Sequence, residues 1–288
     1  MQIVVEFIGV LFKLAFAAVV VVIVVVGWSI AFEPGLLSVT STQIATTGWQ
    51  SYWKPLKIVV LSDLHVGSPH IDVKQLELIV DTVNAQEPDV VLLLGDYMTD
   101  GYYQPVSPEV FGPILGRLTQ APHGVFAILG EHDWRTGDTS VADALKREHI
   151  TVLRNQAAAV KMAKGRRFWI VGLADPASGT RPDYARAIKS VPRGEPVFVM
   201  IHNPVWISQV SPSAVASFAG HTHGGLFNIP YANDVKLVPA DTDARYARGL
   251  MNVDGKTLFV SSGIGSGSIP IRVNLTPEIA VVTVRSAG

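Results

Sequence analysis

KIVVLSDLH, residues 57–65, runs from a lysine through an unbroken apolar stretch into an aspartate and a histidine. A continuous apolar run of this length reads as a strand covered on both faces, the kind found in parallel sheets. The following segment changes period. Asp72 stands where a helix N-cap belongs and Gln75 where a capping box places its partner. Val73, Leu76, Val80 and Val83 then recur on one face through about Ala85. Strand and helix therefore alternate from residue 57 onward. DVVLLLGD (89–96) and GVFAILGEHD (124–133) repeat the strand signal, and a shorter helix is expected over Val141–Glu148. The second half is richer in strands: AVKMA, RFWIVGLAD, PVFVMIHN, AVASFAGH, TLFVSSG and IAVVTVR. Runs of this kind predict a layered α/β sandwich with two sheets instead of one doubly wound sheet.

The strand ends share one chemistry. They carry Asp63 and His65, Asp96, then Glu131, His132 and Asp133, then His202, and finally His221 and His223 in FAGHTHGGLF. Ligands of open α/β sheets bind at the carboxyl ends of strands. Each residue alone has an ordinary explanation, such as a hydrogen-bonded histidine or a Gly-Asp turn. Five strand ends restricted to Asp, Glu and His favour a metal centre of hard oxygen and imidazole donors. That donor set suits Mn, Fe or Zn, and it is large enough for two divalent ions. The chain has no cysteine, which excludes thiolate ligands, disulfides and a cysteine nucleophile. A net charge of −1 gives no electrostatic case for nucleic acid as a partner.

The N-terminus differs from the rest. Leu14 to Phe32 is a run of 19 residues without a charge, about 28 Å as a helix and enough for one hydrocarbon core. It is longer than the apolar region of a cleaved signal and lacks a good cleavage site, so an uncleaved single-pass anchor is expected. Lys13 flanks its N-side, and no Lys or Arg occurs from Glu33 to Trp53. The positive-inside rule then puts the bulk of the chain outside the cytoplasm. The organisation expected is an anchor over 1–32, a linker with a short edge strand over 33–55, and a catalytic domain over 56–288.

The ordered set DLH, GD, GEHD, H and GHTHGG resembles the calcineurin-like metallophosphoesterases, whose pattern is D-x-H, G-D-x-x-D, G-N-H-D/E, H and G-H-x-H. The tail VSSGIGSGSIPIRVNLTPEI is similar to that of the membrane-anchored bacterial branch. The resemblance implies a four-layer αββα sandwich of two mixed sheets. It also implies hydrolysis of phosphomonoesters or phosphodiesters by a hydroxide bridging two metals. Asp63, His65 and His223 would hold the first metal and Asp96 would bridge. His202, His221 and Glu131 would hold the second. His132 would face the substrate as a charge stabiliser or a proton donor to the leaving oxygen. A bacterial inner membrane location would offer lipid or envelope-derived phosphate esters, with the bilayer met through residues 14–32.

Two departures from the pattern stand out. Glu131 replaces the family asparagine, which opens the alternative of a metal-binding scaffold with little catalysis. Thr99 stands where the second Asp of G-D-x-x-D belongs, so the partner of His132 is either Asp100 or Asp133. Leu226 takes a place where this branch often carries glutamine. Arg272 is expected either to reach a phosphate or to form a surface ion pair.

Overall fold

The computed structural model describes residues 2–99, 103–135, 139–229, 236–267 and 270–288. Helix α1 (Gln2–Ala31) is followed by β1 (Ser38–Thr46), β2 (Leu56–Leu61), α2 (Val73–Asn84) and β3 (Val90–Leu93). Next come α3 (Pro108–Gly116), β4 (Val125–Ala127), α4 (Glu131–Arg135), α5 (Ser140–Arg147) and β5 (Thr151–Val152). The second half contains β6 (Gln156–Lys161), β7 (Arg167–Gly172), α6 (Tyr184–Ala187), β8 (Val197–Met200) and β9 (Ala216–Ala219). The chain closes with β10 (Gly249–Val253), β11 (Lys256–Val260) and β12 (Glu278–Ser286).

These strands form two six-stranded mixed sheets, ordered β1-β12-β2-β3-β4-β5 and β10-β11-β9-β8-β7-β6. The period of two along each strand sorts its side chains into layers. On β2, Ile58 and Val60 point into the apolar core between the sheets. Val59 and Leu61 point the other way, onto Leu76, Ile79, Val80 and Val83 of α2. The outer face of the second sheet is covered by Tyr184 and Ala187 of α6 together with Ile207. The result is the expected four-layer sandwich, with helices outside two sheets. The expected cap of α2 is present: the Asp72 side chain accepts from the Gln75 N–H at 2.8 Å.

β12 crosses back from the second half into the first sheet. It lies between β1 and β2, parallel to the former and antiparallel to the latter. Residues 38–46 are thus a full nine-residue edge strand of the first sheet.

Beyond Glu6 and Lys13 in its first half, helix α1 is apolar on all sides. The span Val4–Gly35 is long and apolar enough to cross a membrane by length and composition, and none of its apolar window is buried against the rest of the protein. Its C-terminal end is tied to the domain. The Ser29 carbonyl accepts from the Arg272 N–H at 3.0 Å, and the Ile30 carbonyl lies 3.0 Å from His70 Nε2. The buried Glu33 carboxylate accepts from the Leu275 N–H.

Candidate metal centre

β2, β3 and β4 run parallel in the first sheet, and β8 and β9 run parallel in the second. Their carboxyl ends open at one end of the sandwich, and the expected residues meet there. The backbone has to turn sharply at each strand end to bring the side chains inward. Asp63, His65, Asp96, His221 and His223 all lie in the left-handed region, with φ of 54°, 45°, 56°, 71° and 48°. That conformation costs a non-glycine residue energy, and it persists only where the surroundings over-determine it. Here the surroundings are hydrogen bonds between strand ends. The Asp63 N–H donates to Gly95 O, the His65 N–H to Asp96 O and the Gly220 N–H to His202 O, each at 3.0 Å. The Asp63 carboxylate accepts the His221 N–H at 3.0 and 3.1 Å and so joins the two sheets. This close approach explains the glycine before His221: a Cβ on Gly220 would stand 1.8 Å from Ser62 Oγ.

Two separate donor sets result, Asp63, His65 and His223 in one and Asp96, Glu131, His202 and His221 in the other; a third group, His65, Asp96 and His132, links them. In each set the donor atoms lie within 4.8 Å of one another. Asp96 Oδ2 stands between them, 3.3 Å from His202 Nε2, 3.8 Å from His65 Nε2 and 3.9 Å from His132 Nε2. Its other oxygen accepts the His132 N–H at 2.9 Å. Glu131 lies 2.9 Å from both His202 Nε2 and His221 Nδ1.

Three imidazoles turn Nδ1 toward a backbone carbonyl. His65 faces Met98 O at 3.1 Å, His202 faces Leu94 O at 2.7 Å and His223 faces Gly265 O at 3.2 Å. In a neutral ring so placed, a proton at Nδ1 would leave the Nε2 lone pair directed into the centre, the tautomer that binding a metal through Nε2 requires. His65 Nε2 is buried and has no hydrogen-bond partner among the described residues. An orphaned imidazole nitrogen aimed at a buried carboxylate fits a cation between them. The residues present therefore fit two divalent ions with nitrogen and oxygen donors.

The electrostatics divide the same way. Burial lowers the pKa of His65. Burial also takes His223 down to about 3, against the pull of Asp63. Burial thus favours the neutral ring at both positions, the form that a metal ligand needs. His202 is buried too, yet the Asp96 and Glu131 carboxylates raise it well above the usual imidazole range. Burial likewise opposes the charging of His221, but hydrogen bonds to Asp241 and Glu131 raise it to about 9. Burial would raise the two acids; instead His202 brings Asp96 down to about 2 and, with His221, holds Glu131 far below the carboxylate range. The second donor set is thus a pocket of strong negative potential that holds positive charge.

Some features of the site were not expected from sequence. Asp241 lies 3.0 Å from His221 Nε2, and Asn203 Nδ2 donates to its other oxygen at 3.0 Å. Arg272 forms no surface ion pair. It is fully buried, and its Nη2 donates to the carbonyls of Ser262, Gly263 and Gly265. Gly265 O is the same atom that faces His223, so the arginine supports the wall behind that histidine. Asp133 accepts backbone N–H groups of Gly130, Asp96, Tyr97 and Met98 at 2.8–3.3 Å. It clamps the loop after β3 to the start of α4. Asp100, the other partner considered for His132, lies outside the described residues.

Comparison with known proteins places this site in a family. The model of the calcineurin-like phosphoesterases matches residues 56–225, more than half of the chain. An uncharacterized metallophosphoesterase, YkuE, of Bacillus subtilis is 27% identical over 268 residues, covering 91% of this chain and 90% of its own. A Helicobacter pylori metallophosphoesterase is 31% identical and covers 79% of this chain, which spans 59% of that relative. A zebrafish transmembrane protein with a metallophosphoesterase domain is 28% identical; 81% of this chain matches 54% of it. Among solved structures, a 5'-nucleotidase precursor of Thermus thermophilus aligns with a TM-score of 0.48 at 18% identity, over 74% of this chain and 50% of that one. The strand-end donors, the buried imidazoles gathered around Asp96 and the match over residues 56–225 lead to one assignment: the chain belongs to the calcineurin-like phosphoesterase family and is a metal-dependent phosphoesterase.

Proposed function

We propose that the protein is a membrane-anchored hydrolase that cleaves phosphomonoesters or phosphodiesters at a two-metal centre. One observation supports the reading: Asp96 Oδ2 lies 3.3 Å from His202 Nε2 of its own donor set and 3.8 Å from His65 Nε2 of the other, so this carboxylate adjoins both sets, which together hold seven candidate donor side chains. Asp63, His65 and His223 would hold one divalent ion and Glu131, His202 and His221 the other, with Asp96 common to both. Mn, Fe and Zn suit these donors. When bound, such a pair supplies Lewis acidity to the phosphoryl group and eases deprotonation of a water.

The chain's own residues do the rest. His132 is held by its N–H on Asp96 Oδ1 and lines the mouth of the site beside His221 and His223. From there its imidazole would hold a proton for the leaving oxygen as the ester bond breaks. The strained strand ends keep the donors fixed, so little reorganisation is needed when charge develops on the phosphoryl group.

Helix α1 would fix the enzyme in a bilayer through residues 14–32, with the domain outside the cytoplasm as the Lys13 charge bias suggests. Lipid or envelope-derived phosphate esters are the substrates such a site would meet. The test uses the full chain in detergent, with metals counted by mass spectrometry and hydrolysis of bis-p-nitrophenyl phosphate and p-nitrophenyl phosphate followed in the same sample. Two metals and turnover are expected. Two metals without turnover on either ester would reduce the protein to the scaffold that Glu131 suggests; failure to take up metal would overturn the reading altogether.

A further inference from the structure

The mouth of the metal centre is a groove of about 370 Å³ with two kinds of lining. Glu131, His132, His221 and His223 are its polar part; Leu226, Leu237, Val238 and Pro239 are its apolar part. Nothing in phosphoryl transfer calls for an apolar wall beside the reacting group. Leu226 is moreover held at φ 55°, a conformation that disfavours a branched side chain. The strain holds an isobutyl group in the groove three residues after a metal ligand. Leu237, which lines the same groove, is 48% exposed.

The wall is also close to the anchor. The Val273 N–H donates to Leu226 O and the Asn228 N–H to Val273 O, both at 2.9 Å. The neighbouring Arg272 N–H donates to Ser29 O in the last turn of α1. Leu275 is bonded in turn to Glu33. The apolar side of the groove is thus one hydrogen-bonded segment away from the point where the apolar helix ends. Phe32 and Leu36, at that point, leave 59% and 45% of their surface exposed.

We infer that this groove is a subsite for the hydrocarbon chain of an amphipathic phosphate ester, with the phosphate at the metals and the chain along Leu226 and Leu237. The inference rests on the two-metal reading above and adds a specificity to it. An apolar seat rewards each methylene that it removes from water by about fourfold in affinity.

The test is calorimetric binding of methyl-, butyl- and hexylphosphonate, which carry no ester bond to cleave, to the full-length, manganese-loaded protein in phospholipid nanodiscs, with empty discs as the blank. Hexylphosphonate should bind at least about tenfold more tightly than methylphosphonate, equivalent to two buried methylenes. Leu237→Gln and Leu226→Gly should each bring that ratio toward one; glycine suits the left-handed backbone and so removes the side chain without adding strain. Equal affinities across the series would overturn the inference. So would a hexyl preference that survives both substitutions, because the chain would then sit elsewhere. If the disc-bound protein takes up no metal and binds neither phosphonate, the two-metal reading itself has failed and the subsite goes with it. Bound metal with methylphosphonate affinity but no chain preference refutes the subsite alone.

Discussion

Glu131 brings a full carboxylate to within 2.9 Å of both His202 and His221, where the family pattern has a neutral amide. The extra charge should hold the second ion more tightly and also blunt its Lewis acidity, since charge donated by the ligand is charge the phosphoryl group no longer draws. Glu131→Asn should therefore release that ion more easily and, at equal metal occupancy, turn over faster; a slower variant would show that the carboxylate is adapted to its site. His132 meets the centre through its N–H on Asp96 and through Nε2, which approaches Asp96 and Glu131 at 3.9 and 3.8 Å. His132→Ala should retain both ions and slow hydrolysis by about 10²–10⁴-fold, the usual yield of a positioned acid. Metal loss in that variant would make it a ligand instead. Asp241 lies behind His221 as carboxylates commonly lie behind metal-bound imidazoles. Asp241→Ala should weaken the second ion by about 10–100-fold, read by competition with a chelator; unchanged affinity would reduce Asp241 to a surface contact.

At the scale of elements, the site depends on the clamp that Asp133 makes between the loop after β3 and the start of α4. Four N–H groups converge on its carboxylate, and all belong to buried backbone that has no water to turn to. Asp133→Ala should cost at least about 3 kcal/mol in chemical denaturation, because each orphaned donor carries a penalty of about 1–3 kcal/mol before relaxation. A loss below about 1 kcal/mol would mean that the two loops hold each other without it. Much at this scale was legible. Strands buried on both faces announce themselves as apolar runs, which is why β2, β3, β8 and β9 could be read directly. The helix α3 could not, because Pro108, Gly112, Pro113 and Gly116 punctuate it as they would a loop, and it forms through packing on α5. The pairing of β1 with β12 joins residues 240 apart, such as Ser38 and Glu278, and no local pattern encodes it.

In the whole molecule the metal centre lies where both sheets end, so the fold carries the cost of the site's charge. Seven of the eight expected site residues fall within two donor sets, and they could be named in advance because they follow the ends of five strands closely in sequence. Asp241 and the burial of Arg272 could not, since each is placed by a loop or tail returning from elsewhere in the chain. On the two-metal reading, the same geometry should make stability depend on the ions. Without them, Asp63, Asp96 and Glu131 crowd a buried space with four imidazoles, and the strained strand ends lose what their geometry serves. Ions that bind only the folded state stabilise it by about 4 kcal/mol when free metal stands a thousandfold above the dissociation constant. For a domain of this size that corresponds to a shift of about 10 °C in the melting temperature. Chelator-treated protein should therefore melt about 10 °C below the metal-loaded form, and added Mn²⁺ or Zn²⁺ should restore it. Asp96→Asn should show a smaller response than the unaltered protein, because the oxygen shared by both sets has lost its charge. Identical melting with and without metal, in both proteins, would mean that the strand ends fold into this arrangement for a reason other than holding cations.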